Sequence, residues 1–83
     1  MSDILNGTAY SLSGPEHGSV VTLIHGLGMN RLLWKPFETA LINHHRVLSY
    51  DILGHGESRR PDEPLSLQSF SDQLHDLLNE LYI

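Results

Sequence analysis

The chain has 83 residues, 40% of them apolar and 18% charged, with a net charge of −5 and no cysteine. That length allows one domain at most, with a thin core. No stretch comes near the roughly 20 apolar residues of a membrane span, and five basic residues against ten acidic ones are too few to neutralise a nucleic-acid backbone.

Met1-Ser2-Asp3-Ile4-Leu5 has neither the basic start nor the apolar run of a signal peptide, and without cysteine no disulfide can form. The expected setting is therefore the cytoplasm, with neither nucleic acid nor membrane as a partner. Asn6-Gly7 is a two-residue hairpin signal, because a type I′ turn needs positive φ at both central positions and short apolar segments, Ile4-Leu5 and Ala9-Tyr10, flank it. Gly14-Pro15-Glu16-His17-Gly18 is a turn by composition, with His17 exposed. Val20-Val21-Thr22-Leu23-Ile24 is an unbroken β-branched and aliphatic run, which predicts a short strand buried on both faces. It stops at His25-Gly26-Leu27-Gly28, where two glycines let the backbone turn sharply and leave its peptide groups unshielded.

Leu33, Phe37, Ala40 and Leu41 fall on one face of a helix that Pro36 starts and that ends near Asn43, with Trp34 packing it against the preceding loop. His44-His45-Arg46 leads into a second strand over Val47-Leu48-Ser49-Tyr50. Adjacent histidines on an extended chain point to opposite sides and do not share a metal. The spacings of His25, His44, His45 and His55 also match no compact ligand set, so no metal is expected. Asp51 to Pro64 is a long polar loop, in which Arg59-Arg60 reads as a solvated pair. Ser66 to Leu81 predicts a helix, N-capped by Ser66, whose stripe of Leu67, Phe70, Leu74, Leu77, Leu78 and Leu81 covers the sheet, with His75 on the polar side. Strand, helix, strand, loop, helix predicts an α/β chain: an antiparallel hairpin, then parallel strands with crossover helices.

The strand ending in His25-Gly26-Leu27-Gly28, together with Tyr50-Asp51-Ile52-Leu53-Gly54-His55-Gly56-Glu57-Ser58, resembles the α/β-hydrolase fold family over nearly the whole chain. There, His-Gly-x-Gly follows the third strand and Asp-x-x-Gly-His-Gly-x-Ser the fourth. The resemblance implies that the Leu27 N–H is an oxyanion-hole donor and that His25, Gly26 and Gly28 shape its loop. It also implies that Asp51, Gly54, His55, Gly56 and Ser58 form a structural loop. His25 is not expected to be the catalytic base, because the family's triad histidine comes after the nucleophile and the acid.

A nucleophile elbow, Gly-x-Ser-x-Gly, is absent: Ser11 and Ser13 stand in Ser-Leu-Ser-Gly and Ser58 in Gly-Glu-Ser-Arg. In the family the elbow follows the next strand, which would begin where the chain stops at Leu81-Tyr82-Ile83. The expectation is an incomplete N-terminal part of a single hydrolase domain, shortened by truncation, a broken reading frame or proteolysis. Nucleophile, acid and base would all lie beyond it, and no cofactor is implied. The complete enzyme would act on a small-molecule carbonyl substrate: a carboxylic ester, a lactone or a relative. By the same resemblance, Leu27-Gly28 fits the ester and lactone groups of the family better than the relatives that carry a bulky aromatic-proline pair there. The chain alone is expected to be inactive, and to self-associate or be complemented by the missing C-terminal part. The alternative is a non-catalytic fold fragment that binds or assembles with a second chain.

Overall fold

A computed structural model describes residues 3–83; Met1 and Ser2, the start of the stretch read for a leader, lie outside them. Asn6 and Gly7 have φ of 51° and 78°, the two positive angles of a type I′ turn. They join β1 (Asp3–Leu5) to β2 (Thr8–Ser13) as an antiparallel hairpin with Ile4 opposite Ala9. The sheet has four strands in the order β1-β2-β4-β3, where β3 is Ser19–Ile24 and β4 is His45–Tyr50. β4 runs antiparallel to β2, with Tyr10 opposite Tyr50, and parallel to β3, with Ile24 opposite Tyr50. An antiparallel start followed by a parallel pair is the predicted arrangement.

The two-sided burial expected of residues 20–24 belongs instead to β4. Val47, Leu48, Ser49 and Tyr50 are all buried, whereas Val20 and Ile24 remain 38% and 48% exposed. The reason is topological: β4 returns between β2 and β3, and β3 becomes the sheet edge. Its outer row of peptide groups meets no strand among the described residues.

α2 (Leu67–Glu80) has the predicted Ser66 N-cap, completed into a capping box by Ser69. It lays Leu77, with Phe70, Leu74, Leu78 and Leu81 half-buried beside it, over Leu48, Tyr50 and Ile52, and this is the core. Leu67, the first member of the predicted stripe, is 89% exposed, because the helix enters before it reaches the sheet. A short 3-10 turn over Arg31–Trp34, capped by Asn30, leads into α1 (Lys35–Leu41), with Pro36 in its first turn. The predicted apolar face of α1 is largely bare: Leu33, Phe37 and Ala40 are exposed and only Leu41 is half-buried. Trp34 is half-buried and meets the Phe37 ring edge-to-face at 5.5 Å. α1 is tied to the sheet by a polar contact, the Ser49 hydroxyl donating to Glu38.

Candidate functional site

β3 and β4 run parallel and end side by side, so the loops that follow them leave the same edge of the sheet. After β3 the chain makes a tight turn in which the Met29 N–H donates to the Gly26 carbonyl at 3.2 Å. Gly28 takes the third position with φ of 81°, the conformation a type II turn demands of glycine. Leu27 holds the second position with its side chain 75% exposed. Among the described residues the Leu27 N–H has no hydrogen-bond partner.

The loop after β4 is organised around Asp51, which is fully buried. Its carboxylate accepts from the N–H of Arg31 at 2.7 Å and of Glu57 at 2.9 Å, and from the Arg31 guanidinium. A buried carboxylate needs such a partner, since an unpaired one would be expelled or protonated. Arg31 is itself buried and reaches Glu57 at 2.8 Å with its other terminal nitrogen. The turn closes so tightly on this carboxylate that a Cβ on Gly56 would collide with both Asp51 oxygens.

The same loop is fastened to the first hairpin. The Asp51 N–H donates to the Ala9 carbonyl at 2.9 Å, and the Arg59 N–H to the Gly7 carbonyl at 2.7 Å. The buried Ser58 hydroxyl accepts from the Ala9 N–H at 3.0 Å and donates to the Asp51 carbonyl. Gln73 completes the set from α2. Its amide accepts from the Leu53 N–H at 3.0 Å and donates to the Asp51 carbonyl at 3.0 Å and the Thr8 hydroxyl at 3.1 Å.

Two histidines join the loops. His25 is buried; its Nδ1 faces the Gly26 carbonyl at 2.8 Å, and its Nε2 accepts the Ile52 N–H at 3.1 Å. His55 is half-buried; its Nδ1 faces the Leu53 carbonyl at 2.9 Å, and its Nε2 accepts the Gly28 N–H at 2.9 Å. A carbonyl can only accept and a backbone N–H can only donate, so the hydrogen bonds assign the proton of each ring to Nδ1 and the acceptor to Nε2. Between the first loop and the start of α2 lies an open groove of about 480 Å³, walled chiefly by Ile24, Leu27, Tyr50, Ile52, Phe70 and Leu74. Burial pushes the Tyr50 phenol above its ordinary value.

The structure thus joins the loop of His25, Gly26, Leu27 and Gly28 to the loop of Asp51, Gly54, His55, Gly56 and Ser58 through two bonds, Ile52 to His25 and Gly28 to His55. His44, exposed, and His45, at the start of β4, lie at the far end of that strand from the loops. Arg31 and Gln73 were not singled out in the sequence. Gln73 had a visible signal, standing three residues after Phe70 and four before Leu77, a polar residue on the apolar stripe.

The profile of the Alpha/beta hydrolase family matches residues 23–82. An uncharacterized protein of Mycobacterium tuberculosis is 33% identical over 75 residues, which cover 90% of this chain and 21% of that protein. The 3-oxoadipate enol-lactonase 1 of Acinetobacter baylyi is 33% identical over 72 residues, 87% of this chain and 27% of the enzyme. The crystal structure of the enol-lactonase from Burkholderia xenovorans superposes with a TM-score of 0.86 at 32% identity, covering 100% of this chain and 34% of that one. The chain therefore spans between about a fifth and a third of the proteins it matches. It belongs to the alpha/beta hydrolase family.

Proposed function

We propose that these residues supply the oxyanion-hole loop of a serine-type hydrolase acting on a carboxylic ester, a lactone or a related carbonyl compound. The observation that carries this reading is the unpartnered Leu27 N–H, held on a closed turn beside an apolar groove. Acyl transfer places negative charge on the carbonyl oxygen in the transition state. A donor already aimed at that oxygen stabilises it without reorganisation, and losing one such donor costs about 3–4 kcal/mol. The enol-lactonase relatives support the substrate class, since lactone opening passes through the same oxyanion.

None of His25, His55 and Ser58 is free to act as base or nucleophile in this reading. Both rings and the hydroxyl are engaged by backbone groups. The nucleophile must come from a Gly-x-Ser-x-Gly segment, which these residues lack.

Reconstitution tests the proposal. The coding sequence beyond Ile83 is read for Gly-x-Ser-x-Gly, the segment it encodes is mixed with this chain, and p-nitrophenyl ester hydrolysis is followed. Saturable turnover is expected in the mixture, abolished by a serine-directed phosphonate, and absent from the chain alone. Leu27→Pro should lower kcat by about 10²–10³-fold. Proline suits the second position of such a turn, so the change deletes the N–H and spares the loop. Phosphonate-sensitive turnover by the chain alone would overturn the proposal, because a serine within it would then be activated.

A second reading has its own observation, the open edge of β3 with Val20 and Ile24 exposed beside it. It is a non-catalytic fragment that assembles with a second chain through that edge. Failure to find Gly-x-Ser-x-Gly downstream, together with oligomers in sedimentation, would favour it.

A further inference from the structure

We propose that His55 is a positioning residue of the oxyanion loop: its imidazole holds the Gly28 N–H and so fixes the turn that presents the Leu27 N–H. The proposal rests on the oxyanion reading for its function but not for its geometry. Three hydrogen bonds restrain residues 26–29: the Gly26 carbonyl meets the buried His25 Nδ1 at 2.8 Å and the Met29 N–H at 3.2 Å, and the Gly28 N–H donates to His55 Nε2 at 2.9 Å. Only the last of them holds the Gly28 peptide, since a Cβ placed on Gly26 or Gly28 would meet no atom within 4 Å. Glycines in open space have the largest conformational freedom of any residue, so each restraint removed releases the turn.

The arrangement is reciprocal. His25, on the first loop, accepts the Ile52 N–H of the second, and His55, on the second, accepts the Gly28 N–H of the first. The two rings stand 5.5 Å apart. Their burial divides the work. His25 is inside, so its bond to Ile52 belongs to the fold, because a buried N–H without a partner is costly. The bond from Gly28 is exposed, so water can take the place of His55 at little cost in stability. What water cannot supply is a fixed direction. With His55 gone, the Gly28 N–H becomes a second loose donor adjacent to Leu27, and the turn loses the geometry that preorganised stabilisation of an anion requires.

His55 also has the right reach for a specific test. Its Nε2, the far nitrogen, is the acceptor, while Nδ1 is spent on the Leu53 carbonyl. Glutamine places an amide oxygen near the position of Nε2, and asparagine stops near that of Nδ1. The experiment is amide hydrogen exchange on the 83-residue chain, read residue by residue by mass spectrometry with electron-transfer fragmentation, so that association does not obscure it.

In the wild type, Gly28 should be protected and Leu27 should exchange freely. His55→Ala and His55→Asn should speed Gly28 exchange about tenfold, the worth of one hydrogen bond, while Ile52 keeps its protection. His55→Gln should restore Gly28 to within about threefold of wild type by this bookkeeping. Gly28 exchanging at the unstructured rate in the wild type would overturn the proposal. So would equal protection in all four proteins, or a loss of protection at Ile52 and Gly28 together, which would make His55 a structural residue. None of these readouts involves turnover. The oxyanion reading fails separately, if Leu27→Pro leaves the reconstituted activity unchanged.

Discussion

The two loops leave neighbouring parallel strands at the same edge of one sheet, and both spell histidine and glycine, yet they are built in opposite ways. After β4, Asp51, Ile52, Leu53 and Ser58 are buried, and the polar groups of Asp51 and Ser58 are bonded to named partners. Gly56 is there because the Asp51 carboxylate leaves no room for a side chain. After β3, only His25 is buried; residues 26–30 are exposed, and open space surrounds both glycines. One loop has its polar groups bonded into the fold, and the other leaves the Leu27 N–H without a partner among the described residues. A donor held free in this way is useful only if its neighbour does not move, and the predictions below test that division.

The largest effect should come from Asp51→Ala. Removing the acid leaves the buried Arg31 guanidinium with only the exposed Glu57 carboxylate and strands the N–H groups of Arg31 and Glu57, and breaking a buried pair from one side costs about 3–5 kcal/mol. A chain of this length is stable by only about 4–12 kcal/mol. Urea denaturation of the variant followed by circular dichroism should therefore show a midpoint lowered by about a quarter or more, or no folded baseline at all. A loss under 1 kcal/mol would mean that the second loop is not the scaffold. Ser58→Ala should cost less, about 1–3 kcal/mol, because it strands the Ala9 N–H in a buried position and removes one of two donors to the Asp51 carbonyl. A shift in the urea midpoint with an unchanged slope would report that loss.

Much of this division was legible in the residues, and the remainder was hidden for physical reasons. The hairpin at Asn6-Gly7 and the Ser66 cap are local chemistry, and the structure has both. The β-branched run at 20–24 marks a strand, but whether a strand lies inside or at the edge depends on where β4 inserts, which no local pattern encodes. The stripe of α2 gave its inward face correctly from Phe70 to Leu81, and it missed at Leu67 because periodicity does not say where a helix first touches the sheet. Arg31 was silent for another reason. Its partner Asp51 is 20 residues away, and a basic residue in a polar loop carries no mark of burial. The pairing of His25 with Ile52 and of His55 with Gly28 likewise spans 27 residues and exists only once β3 and β4 are side by side.

A gentler effect should appear at alkaline pH. Tyr50 ends β4 immediately before Asp51, and burial raises its phenol above the ordinary value of 10.0. The unfolded chain then gives up this proton at a lower pH than the folded one, so stability is fully present below about pH 10 and falls as pH rises through the folded value. Of the chain's three tyrosines, one should ionise late when absorbance at 295 nm is titrated, and in Tyr50→Phe that late component should vanish. Three tyrosines titrating together in the folded wild type would place Tyr50 in water.

The smallest effect should be at Leu27, the residue whose N–H the proposed function makes the oxyanion donor. Leu27→Ala removes a side chain that is 75% exposed and leaves the peptide group unaltered. Exposed substitutions away from caps and pairs usually change stability by no more than about 0.5 kcal/mol, so the unfolding midpoint should match that of the wild type. The turn has no use for the side chain either. Its shape is set by Gly28 at positive φ, by the bond across it from Met29 to Gly26, and by His55 behind it. If Leu27→Ala instead cost 2 kcal/mol or more, comparable with burial of a whole leucine, the side chain would be packed into the groove beside α2. The first loop would then belong to the core as the second does, and the contrast between a loop that supports and a loop that presents would collapse.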